Sequence, residues 1–413
     1  MTIDLICEVQ IWGQRVGALI EEEGQIIFEY APEFLNSGLE ISPFELPLRA
    51  GVFAQKNRRE TFQGLQGIFA DSLPDKFGNA IIERYFQEAA DTARHELSSL
   101  QKLLYIGSRS MGALEYLPPM EGLQPKARES LQIARLVQEA RQVIQGELEV
   151  ASAEIMQVGV SAGGQYPKAV IAWNPQTNDV VSGLLECPEG YSQWIIKFDG
   201  AQGESQEFGK LEYAYSKMAK DAGIQMGETH MLFENGRHHF RVKRFDRLGN
   251  GQRLHMASLC GLLQKDFNIP RLLDYEDYLR ATQALAAPNA DIEQAFRRMV
   301  FNVIARNQDD HTKNFSFLMD EQGRWQLSPA YDLTFACGSR FTTAAHQMTV
   351  NGKDRDISRE DFMVLGEKFS IADCQGIIDE ISAAVSAWPD YAEQADISSG
   401  FTQEIGNLHK TGL

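Results

Sequence analysis

The stretch Asp309-Asp310-His311-Thr312-Lys313-Asn314-Phe315, followed by Ala330-Tyr331-Asp332, gathers carboxylates, an imidazole, an ammonium and a carboxamide into a short span of chain. Such groups suit phosphoryl transfer, a reaction that needs positioning and charge neutralisation more than covalent help. One Asp orients an attacking hydroxyl, an Asn holds a divalent cation, and a later Asp holds that cation against the phosphates. Asp309 is the candidate for the first role, and Asn314 and Asp332 for the other two. The plain alternative is a polar turn whose side chains bond their own backbone.

These residues need a scaffold, and the flanking pattern predicts one. Phe296 to Val303 reads as a buried helix, Phe315 to Met319 as a strand, Asp320 to Gly323 as a turn and Trp325 to Leu327 as the returning strand. An Asp, an Asn five residues on, a hairpin and then a second Asp follow the order of a protein-kinase catalytic lobe. Upstream, 155–160 and 168–173 read as strands around the glycine-rich loop Ser161-Ala162-Gly163-Gly164-Gln165-Tyr166-Pro167, whose backbone N–H groups could meet ATP phosphates. A strand over 193–199 carries Lys197 between apolar neighbours, where a cation must face an anion. A nucleotide phosphate fits that need, with Glu212, on a helix over 207–222, as partner when nucleotide is away. The strand over 238–245 ends in Arg244-Phe245-Asp246, a hinge whose backbone takes the adenine edge while Asp246 reaches the ribose. Residues 3–30 alternate as a three-stranded meander. Helices are expected over 79–86 and 126–148, a polar, turn-rich segment up to Gly107, and helices throughout from Ala257 apart from the hairpin.

Composition narrows the class. The 413 residues suggest two or three domains, and 43% hydrophobic with 23% charged residues is ordinary for a globular chain. A formal net charge of −18 argues against direct nucleic-acid binding and against an anionic lipid surface. The five cysteines are scattered without a Cys-x-x-Cys, so free thiols in a reducing compartment are expected. No apolar run is long enough for a membrane span, and Met1-Thr2-Ile3-Asp4 has no basic start, so a cytoplasmic location is the expectation. Walker-A glycines, a Gly-x-Ser-x-Gly elbow and a zinc-type His/Cys cluster are all missing.

Five ordered segments carry a family resemblance. They are Val160 to Lys168, Trp194-Ile195-Ile196-Lys197-Phe198, Lys243-Arg244-Phe245-Asp246-Arg247, Asn307 to Ser316 and Leu327 to Asp332. Together they resemble the HipA family, serine/threonine kinases that are the toxins of bacterial toxin–antitoxin pairs, and the meander with Gly112-Ala113-Leu114 resembles that family's N-terminal subdomain. The resemblance implies an α+β, protein-kinase-like two-lobed fold with an extra N-terminal β-rich subdomain, divided as 1–125, 126–247 and 248–413. It implies ATP and Mg²⁺ as cofactors, Asp309 as the catalytic Asp, Asn314 and Asp332 as metal ligands and Lys197 on a phosphate. Ala162, Gly163, Gly164, Lys168, Lys243, Phe245, Asp246, His311, Lys313 and Asn314 then fall in nucleotide-contacting motifs, and Ser161 at an autophosphorylated serine that switches the kinase off. Best-known members phosphorylate an aminoacyl-tRNA synthetase, halt translation and induce persistence. Their partner is a small helix-turn-helix antitoxin, HipB-like, that bridges to operator DNA. His255-Met256-Ala257-Ser258, where those members have an acidic or amide pair, and Ser72-Leu73-Pro74-Asp75 mark a divergent branch. A kinase-shaped corepressor and a lipid or small-molecule kinase are the rival readings.

Overall fold

Alternation decides the first sheet. In β1 (Leu5–Ile11), Cys7, Val9 and Ile11 point inward and are fully buried, as a period of two requires. β2 (Gln14–Glu22) and β3 (Gln25–Tyr30) complete the expected meander, with every neighbour antiparallel. β4 (Val52–Ala54) and β5 (Leu114–Leu117) close a five-stranded sheet of order β4-β3-β2-β1-β5. Phe28, Tyr30, Phe53 and Phe69 pack ring against ring on its inner face. The computed structural model describes residues 5–22, 24–55, 61–89, 97–120, 131–145, 155, 167–184, 187–200, 207–234, 236–338 and 343–413.

The chain forms two compact units, and the first joins 1–206 with 232–257 and 319–323. Besides the first sheet it holds β6 (Lys168–Trp173), β7 (Val180–Ser182), β8 (Ser192–Lys197), β9 (Thr229–Glu234) and β10 (Arg237–Lys243), in the order β7-β6-β8-β10-β9. β6 is buried along its whole length, so its apolar run had no alternation to show. The helix Lys76–Ala89 is longer than expected. The segment expected to be turn-rich contains a helix, Ser99–Ile106, because Ser98 and Gln101 form a reciprocal capping box at its start. The helix Ile133–Gln145 lies within the expected 126–148. Of the expected strand 155–160 only Ile155 is described, and it is helical; 156–160 and the glycine-rich loop, with Ser161, Ala162, Gly163 and Gly164, lie outside the described residues.

The second unit, 207–231 with 258–318 and 324–413, is mostly helical. Its centre is the helix Asn289–Ile304, in which Phe296, Met299, Val300, Phe301, Val303 and Ile304 are all fully buried. Each such side chain contributes about 1.5–3 kcal/mol relative to exposure. The helices Tyr275–Ala284 and Cys374–Ser386 pack against it, and Phe208–Asp221 packs against Trp388–Gln394. Helices do not run throughout. Between the hairpin and the helix Arg359–Lys368 the described chain is irregular, and Asp274 fastens it by accepting from Thr349 Oγ1 and Gly352 N–H. The five cysteines are free thiols. Among the described residues no helix is long and apolar enough to cross a membrane.

Candidate active site

The polar loop is shaped by the helix before it. After Ala305 the chain turns through Arg306, at φ 59°, and leaves the helix axis. Gln308 N–H then donates to Ala336 O at 2.9 Å, and Ala336 N–H to Arg306 O at 3.1 Å. This parallel bridge ties the start of the loop to the segment that follows Asp332. Asp309 comes next and keeps part of its surface. A 3-10 turn, Thr312–Asn314, folds the chain back so that Asn314 Nδ2 donates to Asp309 O at 2.9 Å. That bond is the physical content of the Asp-x₄-Asn spacing. With its nitrogen donating there, the Asn314 amide offers its oxygen as the candidate ligand atom.

Asp332 is brought to the same place by the hairpin of β11 (Ser316–Met319) and β12 (Trp325–Leu327). Tyr331 OH donates to Lys313 O at 2.7 Å and meets Ser316 Oγ at 2.5 Å, so the residue before Asp332 is pinned to the turn. Asp332 itself sits at φ 54°, a left-handed conformation that a non-glycine residue adopts only when its surroundings enforce it. His311 lies within the field of both carboxylates. Burial pushes its imidazole below the ordinary range, while Asp309 and Asp332 pull the other way. Its Nδ1 is enclosed and has no hydrogen-bond partner among the described residues. Phe267, absent from the expected site residues, lies 5.2 Å from the His311 ring and 5.0 Å from Lys313 Nζ, under both basic residues. Asp309, His311, Lys313, Asn314 and Asp332 are therefore one cluster.

Asp310, between Asp309 and His311, plays no part in that cluster's exposed chemistry. It is fully buried and bonded to Tyr275, His346 and Gln347. The expected layout named neither it nor its partners. Its burial could have been guessed only from Tyr275, a phenol in an apolar helix that needs an acceptor.

In the other unit, Lys168 and Lys197 are direct cross-strand partners at the ends of β6 and β8. Opposed residues of an antiparallel pair share a face, and two like charges so placed repel unless an anion screens them. Lys168 Nζ is buried 3.8 Å from Asp75 Oδ2, at the start of a helix and within the Ser72-Leu73-Pro74-Asp75 segment. Lys197 also opposes Phe240 and stands 5.9 Å from its ring. Glu212, its expected partner, is on the Phe208–Asp221 helix of the second unit.

Lys243 opposes Trp194, three residues from Lys197 along β8, so it stands on the opposite face of the sheet from Lys168 and Lys197. Asp246, expected at a ribose, is enclosed in a buried ion network. Its carboxylate is fully buried and accepts from Arg244 Nε at 3.0 Å, Arg244 Nη2 at 2.7 Å, Arg247 Nη1 at 2.7 Å and Gly112 N–H at 2.8 Å. Burial opposes its ionisation, but Arg244, Arg247 and Gly112 overcome that and hold it well below the usual carboxylate range. Gly112 is required there: its φ is +77°, and a Cβ would lie 2.7 Å from Met256 N. Phe245 lies in the turn after β10.

Comparison with known proteins agrees with this architecture. The HipA N-terminal domain matches residues 7–117, and the HipA-like C-terminal domain matches residues 160–388. "Putative kinase Y4mE" of Sinorhizobium fredii is 24% identical over 420 residues, covering 94% of this chain and 86% of that protein. "Putative kinase Y4dM" of the same organism is 26% identical over 220 residues, 48% of this chain and 51% of the relative. A solved structure of HipA from Shewanella oneidensis, in complex with HipB and its operator DNA, superposes with a TM-score of 0.68. It covers 97% of this chain and 95% of its own at 16% identity. That likeness establishes the fold, which is α+β and kinase-like as the motifs implied.

Proposed function

Because the chain belongs to the HipA family, we propose that it is a serine/threonine protein kinase and the toxin of a toxin–antitoxin pair. The observation that carries this reading is the folding of one loop so that Asp309, His311, Asn314 and Asp332 share a site. Asp309 orients the attacking Ser or Thr hydroxyl and accepts its proton. Lys168 and Lys197, paired on one face of a sheet, supply the positive charge that a triphosphate needs.

The donor set suits Mg²⁺. Asp332 and Asn314 offer hard oxygens, and one or two carboxylates plus substrate phosphates and water are what that cation takes. Among the described residues there is no larger His, Cys, Asp and Glu cluster, which a dedicated all-protein cage would need. When bound, Mg²⁺ neutralises charge on the leaving phosphates.

The same reading extends to regulation and partners. Phosphorylation of Ser161 adds roughly −1.5 to −2 charge at the root of the glycine-rich loop, which repels the triphosphate and switches the enzyme off. A HipB-like partner, which the resemblance makes a helix-turn-helix protein, supplies the DNA contact that a chain of net charge −18 does not favour; the Shewanella structure likewise holds HipA with HipB and operator DNA. Mg-ATP should raise the melting temperature through linkage, and Asp332→Ala should reduce that rise. Asp309→Ala should abolish phosphoryl transfer and growth arrest on overexpression while the protein still folds. Equal shifts with and without Mg²⁺ count against the metal ligands, and full toxicity of a folded Asp309→Ala protein favours the corepressor.

A further inference from the structure

Five buried side chains form a hydrogen-bonded path that leaves the Asp309 loop and returns to it. Asn307 Nδ2 donates to Asn302 Oδ1 at 2.9 Å, and Asn302 Nδ2 donates to the Tyr275 hydroxyl at 2.9 Å. Tyr275 OH donates to Asp310 Oδ2 at 2.8 Å, where His346 Nδ1 also arrives at 2.8 Å. Gln347 N–H donates to Asp310 Oδ1 at 2.7 Å. A carboxylate only accepts, so His346 carries its proton on Nδ1. None of the five side chains belongs to a residue more than 2% exposed. The two ends of the path, Asn307 and Asp310, bracket Gln308 and Asp309.

The path also reaches the segment downstream of Asp332. His346 and Gln347 are fixed against the start of the Tyr275–Ala284 helix: Arg271 N–H donates to Gln347 O at 2.6 Å, and Tyr275 N–H to Thr349 O at 2.8 Å. With the bridge between Asn307 and Ala336, the segment following Asp332 is tied to the loop on both sides of Asp309. An apolar residue could fill the space of Asp310, and a buried charge is costly unless fully bonded. What the carboxylate adds is direction, three bonds aimed at the residue after Asp309.

On the reading that Asp309 orients the hydroxyl, we propose that Asp310 is a positioning residue. It touches no substrate, and it holds Asp309 and the 346–349 segment in one register. His346 is its lever on that segment. Misplacing a reacting group by about 1 Å can cost on the order of 10²-fold in rate. The site that binds nucleotide need not change.

The test uses the full chain with Mg-ATP, following phosphate incorporation and, separately, amide hydrogen exchange. Asp310→Asn keeps the shape but turns an acceptor oxygen toward donors as an NH₂ group. Its kcat should fall roughly 10²-fold, while the KM for Mg-ATP stays within about twofold. His346→Ala should cost less, and adding it to Asp310→Asn should cost nothing more, because both remove one unit. Amides of 306–315 and 346–349 should exchange faster in Asp310→Asn, with those of the Asn289–Ile304 helix unchanged. An unchanged kcat in folded Asp310→Asn overturns the proposal. So does exchange that rises uniformly across the chain, which is general destabilisation. If the wild-type chain transfers no phosphoryl group, the kinase reading falls. Exchange then still decides the anchoring, and no local change on Asp310→Asn overturns it.

Discussion

Replacing Asp246 separates two readings of one residue. The structure makes it the centre of a buried ion network, with Arg244 and Arg247 as partners and Gly112 N–H as a fourth donor bond. Arg244 is 4% exposed and Asp246 is 0% exposed, so solvent cannot replace what Asp246→Ala removes. Two guanidinium groups would be left without their carboxylate. Breaking a buried pair by removing one partner costs roughly 3–5 kcal/mol. For a unit of this size each kcal/mol lowers the melting temperature by about 2–4 °C, so a fall of roughly 6–20 °C is expected. Thermal unfolding by circular dichroism, with and without Mg-ATP, is the assay. The pH dependence has a definite sign. The folded carboxylate titrates below its ordinary value of 3.8, so its stabilisation is present above that value. It is lost as the pH falls from there through the lower folded value. Asp246→Ala should flatten this acid limb. A variant that melts within about 2 °C of wild type but binds ATP poorly would refute the network and restore the ribose ligand.

Lys197→Met should weaken Mg-ATP binding by roughly 10- to 100-fold, the worth of a charge-assisted bond, read by calorimetry, and Lys243→Met should leave it unchanged. Mass spectrometry after incubation with Mg-ATP should find phosphate on Ser161 in the wild type and none in Asp309→Ala. An active preparation without phosphate on Ser161 would sink the switch.

Local geometry was legible. Asp309 and Asn314 are five residues apart, and a 3-10 turn closes the bond between them within one short stretch of chain. β1 was legible because Cys7, Val9 and Ile11 alternate with more exposed neighbours, and β6 because Pro167 and Asn174-Pro175 bracket an apolar run. The helix Ser99–Ile106 was overlooked although its capping box was in plain view, because Ser and Gln look like loop residues unless read as a reciprocal pair.

Asp246 and Asp310 show where local reading stops. Both are acids in motifs with chemical meaning, and each could have faced ligand. Both are fully buried, and beyond the neighbouring Arg244 and Arg247 that bond Asp246 their partners are remote. Asp246 meets Gly112 across 134 residues, and Asp310 meets Tyr275 across 35 and His346 across 36. A buried carboxylate that accepts three or four hydrogen bonds is spent on structure, whereas Asp309 keeps part of its surface beside a second carboxylate. Residue type selects the candidates for chemistry, and long-range satisfaction of their hydrogen bonds decides which remain available for it. In this chain a partly exposed acid and a fully buried one are adjacent at 309 and 310, so the proposed roles of reacting group and anchor fall on neighbouring residues.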